Sequence, residues 1–196
     1  MAQTSTTLIS AKSHITSITG TDISLSATAG VYTISATSTV LTGAGKLAVG
    51  DLITVSGSAS NNSTFTVATV VSTTELTVSE VVTSENADGS STITLDHVGF
   101  VSDKAKGDGY YSQPDGVHTV AYQVANDFNA DATIKMQGTL ATTPTEDDWF
   151  NIANTTFTSD TSTLTSSFNF TGNYVWVRSK TQLLTAGTTN SILLNS

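Results

Sequence analysis

Apolar residues and hydroxyl residues alternate along most of this chain, and a side-chain period of two is what a half-buried β-strand requires. In the segments LITVS at 52–56, TFTVATV at 64–70, LTV at 76–78 and TITL at 92–95, the Val, Ile, Leu and Phe side chains fall on one side of a pleat and the hydroxyls on the other. Serine and threonine account for 64 of the 196 residues, so the alternation runs nearly from end to end. No helical periodicity of useful length competes with it. The fold class that follows is all-β: an extended N-terminal arm, a small N-terminal β-barrel or sandwich, and a C-terminal antiparallel β-sandwich.

Residues 1–22 are polar, with only Leu8, Ile9, Ile15 and Ile18 as a weak apolar spacing. Such a segment orders when something ties it down, and a neighbouring subunit is the expected anchor. Over 23–95 short strands alternate with turn signals at Gly30, Gly43, Gly45, Gly50-Asp51, Gly57, Asn61-Asn62 and Asp88-Gly89, a spacing that closes into a barrel or sandwich. Residues 96–116 are rich in Gly, Asp and Lys and include Pro114, which is linker composition. From 117 to 196 a second set of strands follows, opening with HTVAYQV at 118–124, where Val120, Tyr122 and Val124 share one face.

Composition narrows the function. Seven Lys plus Arg stand against sixteen Asp plus Glu, a net charge of −9, which repels phosphate backbones and anionic lipid, so neither nucleic acid nor membrane is an expected partner. Charged residues are 12% of the chain, about half the usual quarter, and a surface so poor in charge suits a closely packed assembly. With no cysteine there are no disulfides, thiolate metal sites or thiol nucleophiles, and stability rests on core packing or on neighbouring subunits. The N-terminus has no basic region followed by a long apolar run, so no signal peptide is read, and no segment has the roughly 20 apolar residues of a spanning helix.

The residues able to do chemistry are few. The histidines are His14, His97 and His118, and no G-x-S-x-G elbow places a serine beside one of them. Glu146-Asp147-Asp148 lacks the Asp-x-Asp spacing and glycine turn of a calcium loop and reads as a solvated acidic turn, as do Asp103, Asp108 and Asp115. No glycine run opens a helix to cradle phosphate. Catalytic residues, cofactor-binding residues and metal ligands are therefore all expected to be none, and the protein is expected not to be an enzyme. Tyr174, Trp176 and Arg178 share one strand face and could stack on a sugar ring, but a small sandwich needs large core residues, so Trp149, Phe150, Phe168, Phe170 and Trp176 are expected to fill the core. Tyr110 and Tyr111 are the better candidates for contact with a partner.

Two stretches carry a resemblance. GKLAVGDLITVSG at 45–57, with NNSTFTV at 61–67 and TELTV at 74–78, and FNFTGNYVWVR at 168–178, with LTAGTTNSILLN at 184–195, resemble virion structural proteins of tailed bacteriophages, in particular accessory proteins of cyanophages. The resemblance implies a non-enzymatic β-rich building block of the virion, most simply a capsid decoration or accessory protein made in the host cytoplasm. Its implied partners are other virion proteins of the capsid or tail lattice and further copies of itself, as in a trimer. The rival reading is a tail fibre or adhesin-type module that binds a host surface glycan through the C-terminal sandwich.

Overall fold

The computed structural model describes residues 5–111, 116–159 and 164–195, with the side chains of Gly109 and Tyr111 excepted. Among the described residues there is no α-helix; the chain is strand and turn. In chain order the strands are β1 (Ser5–Ile9), β2 (Lys12–Ser13), β3 (Ile18–Gly20), β4 (Ile23–Thr28), β5 (Val31–Ala36), β6 (Asp51–Ser56), β7 (Thr64–Ser72), β8 (Glu75–Val78) and β9 (Ile93–Val101). They continue with β10 (Ala105–Lys106), β11 (Val117–Val124), β12 (Thr133–Thr139), β13 (Phe150–Asn151), β14 (Phe157–Thr158), β15 (Thr165–Thr171), β16 (Trp176–Gln182) and β17 (Thr188–Asn195). Two compact units result, one of Ile15–Phe100 and one of Met1–His14 with Val101–Ser196.

In the first unit the strands pair antiparallel in the order β3-β9-β6-β7-β8-β5-β4. Beyond β4 the chain at Glu85 exchanges two backbone hydrogen bonds with Leu25, of 2.9 and 2.8 Å. The inward positions of the period-two pattern meet in one aliphatic cluster that includes Leu25, Ile34, Ile53, Val55, Leu76 and Leu95, with Phe65 its single aromatic ring. Gly57 sits at φ +79°, and a β-carbon there would collide with the backbone carbonyl of Thr92, so the turn after β6 admits no side chain.

In the second unit one sheet runs β1-β17-β11-β15, with β2 also on β17, and β12 carries β13 and β14 on one side and β16 on the other, with β10 beyond it. Between these layers lie Val120, Tyr122, Ile134, Met136, Val177 and Ile192, each fully buried. The Tyr122 ring lies 6.0 Å from Phe157, and its hydroxyl donates to the Thr155 carbonyl at 2.9 Å. That bond resolves the cost of burying a phenol. Burial also pushes its pKa above the usual tyrosine value.

Three sequence expectations meet a different arrangement. The segment expected to be an arm is strand in its described part: β1 pairs with β17 from Ser5↔Asn195 to Ile9↔Ile192, and β3 pairs with β9. Leu8, Ile9 and Ile18 are buried there, so open sheet edges of the chain itself supply the anchor that composition alone does not reveal. The span expected to be linker from 96 is still β9 as far as Val101. The polar pair Asp96-His97 breaks the apolar pattern, yet His97 keeps the inward phase of Ile93 and Leu95. The third difference is in the second unit's core. Of the five residues expected to fill it, only Phe170 is buried; Trp149, Phe168 and Trp176 are half-buried and Phe150 is 45% exposed. Tyr122, Phe128 and Phe157 take their place, because the strand phase that buries Val177 turns Trp176 to the opposite side.

Candidate functional site

The strand phase of β16 sets the most chemically distinctive surface. Val177, Ser179 and Thr181 are buried, so Trp176, Arg178 and Lys180 point to the other face of the sheet. Their register partners on β12 are Thr139, Gln137 and Lys135, while Lys106 on β10 stands opposite Trp176. The turn Glu146–Asp148 folds over this face, capped by Asp148, whose Oδ2 accepts the Thr145 N–H at 2.7 Å and its hydroxyl at 2.8 Å. Those bonds, the backbone one first, hold the Asp148 carboxyl below the usual range.

Arg178 is the centre of the arrangement. Its Nη1 and Nη2 donate to Glu146 Oε1 and Oε2 at 2.9 and 2.7 Å, a two-pronged pairing, and its Nε donates to Gln137 Oε1 at 3.0 Å. Gln137 Nε2 donates in turn to Asn151 at 3.1 Å, and the Trp149 ring covers the guanidinium with the Arg178 Cζ 4.2 Å from its centroid. Three of the guanidinium's five N–H groups are thus bonded inside the protein, which suits a positioning role for a 5% exposed arginine. Glu146 is turned inward to this pair, whereas Asp147 and Asp148 remain exposed, so the three acids do not act as one site.

Beside this knot lies an aromatic surface. The Trp176 indole donates to the Thr142 carbonyl at 3.0 Å, its ring is 5.0 Å from Tyr110, and Lys104 Nζ sits 4.6 Å over it. Lys106 Nζ lies 4.1 Å over the Tyr110 ring. Tyr110, read from the sequence as a contact residue, is 45% exposed; the side chain of Tyr111 lies outside the described residues, as does Asp115. Tyr174 stands apart from Trp176. It lies against Gly138, where a β-carbon would come within 2.6 Å of its ring, and near Phe150, Phe170 and His118 at 6.0, 6.2 and 6.2 Å. A cavity of about 290 Å³ opens beside it between Asn154 and Asn169.

The histidines are dispersed. His118 is buried and stacked on Phe170 at 4.8 Å, with Nε2 3.4 Å from the Gly172 carbonyl. His14 is half-buried, its backbone N–H bonded to Gly187 at 2.8 Å. In the first unit His97 Nδ1 accepts the Ile15 N–H at 3.3 Å, which leaves its proton on Nε2, 3.4 Å from Asp51 Oδ1. Asp51 Oδ2 accepts the Ala48 N–H at 2.8 Å. With both side chains fully buried, this pair fixes the turn before β6 to β9 and offers no approach to a substrate.

The first unit's 460 Å³ cavity is lined by Ser58, Ala59, Glu85 and Asp88 among others. Ser58, Ala59, Ser60 and Asn61 all donate to the Glu85 carboxylate and, Ser58 foremost, hold its pKa down; the group clamps a loop. Among the described residues no three His, Asp or Glu side chains are grouped so as to hold a metal ion.

Sequence reasoning missed the lysines of the β10, β12 and β16 face. The available signal was the i, i+2, i+4 placement of Trp176, Arg178 and Lys180, which shares a face with Lys135 only once the register is known. The chain matches no protein-family model and no curated protein.

Proposed function

We propose that this protein is a non-enzymatic structural component of a tailed-phage particle, a capsid decoration or accessory protein that docks on the lattice beside other virion proteins and copies of itself. The observation that carries the reading is the composition of one sheet. None of the residues of β1, β17, β11 and β15 is Asp, Glu, Lys or Arg, Lys12 of the short β2 being the one charged residue among the strands of the sheet, and its outward positions include Thr119, Ala121, Gln123, Ser167, Asn169, Leu193 and the 60% exposed Val117. Cores of protein interfaces are depleted in charge in the same way. Among the described residues β15 also has a single strand partner, β11, and an edge strand without lysine or proline is ordinarily covered by a neighbour. The stretches that resemble phage accessory proteins fall on β6, β7, β8, β15, β16 and β17, the strands that build both units.

The test is mass spectrometry of density-purified particles of the phage that encodes the chain. The expected result is the chain at a fixed copy number commensurate with a shell or tail lattice; its absence from particles that assemble and infect normally would overturn the reading.

A second reading has its own observation. Trp149 and Trp176, which a small sandwich is expected to bury, are half-buried, with Trp176 beside the exposed Tyr110, and half-exposed aromatic rings suit stacking on a sugar. On this reading the second unit is an adhesin-type module for host surface glycan.

A further inference from the structure

We infer that β15 pairs with β15 of a second copy of this chain, antiparallel and about a two-fold axis, so that the charge-poor sheets of two copies join edge to edge. The inference deepens the first of the two readings above, on which it rests, by naming the strand through which copies of the chain meet.

The first support is the set of backbone groups that this edge leaves open. The ladder between β11 and β15 runs in unbroken register from Val117↔Thr171 to Gln123↔Thr165. Just beyond its ends the Gly172 N–H donates to the Gly116 carbonyl at 3.0 Å and the Val124 N–H to the Leu164 carbonyl at 2.9 Å. Hydrogen-bonded and non-hydrogen-bonded rows alternate in an antiparallel pair, so β11 takes the backbone groups of Ser166, Phe168 and Phe170. Those of Thr165, Ser167, Asn169 and Thr171 point away from β11, where the described residues place no further strand. The Thr171 carbonyl accepts the Tyr174 hydroxyl at 3.3 Å, and a carbonyl has a second lone pair for an incoming N–H.

The second support is that the two edges of the sheet differ. At the opposite edge β1 is bulged against β17 between Thr7 and Ile9, and a bulge turns an edge away from further pairing. β15 has no bulge, and its sequence TSSFNFT has no Pro, Lys or Gly. Self-pairing also suits its side chains. With Phe168 on the two-fold, Thr165 meets the partner's Thr171 and Ser167 meets the partner's Asn169, hydroxyl and amide pairs that stabilise a sheet. On the core side Phe168 faces the partner's Phe168 in a non-hydrogen-bonded row, where opposed side chains lie closest. Phe168 is only half-buried, whereas its register partner Val120 is fully buried, and a strand beyond β15 would cover the remainder. Each copy carries a net charge of −9, which opposes association at long range, but no charged residue lies on β15 itself and salt screens distant charges within about 10 Å. Association through β15 should therefore strengthen as salt rises.

The experiment is sedimentation equilibrium of the full chain at rising protein and salt concentration, with amide hydrogen exchange by NMR as the companion measurement. Wild type should pass from monomer to dimer, more completely at high salt. In the dimer the amides of Thr165, Ser167 and Asn169 should gain at least about tenfold protection, while those of Ser166 and Phe168, already bonded to β11, change little. Ser167→Pro removes an outward N–H that β11 does not use, and should weaken association at least about tenfold. Ser167→Ala keeps that N–H and should stay within about threefold of wild type. Ser167→Lys also keeps it but sets a charge beside the two-fold; it should weaken association as proline does, and it serves if the proline variant fails to fold. An unchanged thermal midpoint of the dilute protein separates a lost contact from a lost fold. A chain that stays monomeric throughout, or a dimer that both Ser167→Pro and Ser167→Lys leave intact, would overturn the inference. So would a trimer or an open-ended polymer, which needs head-to-tail contact. Particle composition tells this failure from that of the underlying reading: a chain present in particles at fixed copy number but monomeric in solution sinks the β15 pairing alone, whereas absence from infectious particles sinks the virion reading.

Discussion

The two units solve the same packing problem with different residues. The first fills its interior mostly with aliphatic side chains, with Phe65 and Phe100 its buried aromatic rings, and holds its loops with Asp22, Glu85 and Asp88; the second has Tyr122, Phe128, Phe157 and Phe170 inside and turns its tryptophans outward. The consequence is that a phenylalanine in the first unit means core, whereas in the second a large aromatic residue is core or surface according to strand phase. Both tryptophans of the chain, Trp149 and Trp176, lie in the second unit, so tryptophan fluorescence follows that unit alone while far-ultraviolet circular dichroism follows both.

The sharpest test of this contrast pairs an interior ring with an exterior one. Tyr122 is fully buried, and Tyr122→Ala should destabilise the second unit by about 3–5 kcal/mol, the usual cost of emptying a large aromatic site. Trp176→Ala removes a ring contact and one hydrogen bond at a half-buried position, and should cost about 1 kcal/mol. Urea unfolding of the two variants measures the difference. A Trp176→Ala cost as large as that of Tyr122→Ala would mean the indole is core after all.

Glycine supplies a comparison across the units. At Gly57 a new β-carbon meets the Thr92 backbone carbonyl at a positive φ, whereas at Gly138 it meets the Tyr174 ring. A backbone carbonyl leading directly into the paired strand β9 cannot readily step aside, but a ring bordered by a cavity can. Gly57→Ala should therefore cost about 2–3 kcal/mol and Gly138→Ala about 1 kcal/mol, the latter with Tyr174 displaced. Equal costs by thermal unfolding would show that Tyr174 is as firmly held as the sheet.

The Arg178 knot is the second unit's counterpart to the Asp51–His97 pair of the first. Replacing Glu146 by Gln leaves a 5% exposed guanidinium without its anion. Because Glu146 is itself 27% exposed, water offsets part of the loss, and Glu146→Gln should cost about 1–3 kcal/mol. Trp149 sits on the guanidinium, so its emission should shift as the turn loosens; an unchanged spectrum and stability would show that Gln137 and Trp149 hold Arg178 unaided.

Why some of this was legible in the sequence and some was not follows from what period two encodes. The strands at 51–56, 64–72, 75–78 and 117–124 could be read because apolar and hydroxyl residues alternate cleanly. β1 and the second half of β9 could not, since their pairing depends on distant edges and on a buried Asp–His contact, neither of which leaves a local apolar pattern. The alternation in Tyr174-Val-Trp-Val-Arg178 correctly separates two faces, but nothing local says which face is inward; the bulk of Trp176 argues for the core and the buried Val177 shows otherwise. The lysine-bearing face of β10, β12 and β16 was illegible for a related reason. Lys135 and Lys180 lie far apart in the chain and become neighbours only through register.

Acid titration should separate the units by the smallest of these effects. In the first unit Asp22, Glu85 and Asp88 each accept several hydrogen bonds, chiefly from Thr39, Ser58 and Ser91 respectively, which hold all three carboxyls below their ordinary pKa; in the second unit Asp148, held down by Thr145, is the clearest parallel. A carboxyl whose folded pKa is depressed contributes stability that is present above its unfolded value, about 3.9 for Asp and 4.3 for Glu, and that is lost as pH falls through the folded value. These groups are open to solvent, so each contribution is small, but three in one unit act on the loops at 37–39, 58–61 and 90–91. Below about pH 4 the thermal midpoint followed by circular dichroism should therefore fall ahead of the one followed by tryptophan fluorescence, and Glu85→Gln should lower the neutral-pH midpoint while flattening that acid decline. Coincident decline of the two signals, unchanged in Glu85→Gln, would place the acid sensitivity outside these loop carboxylates and remove the electrostatic half of the contrast between the units.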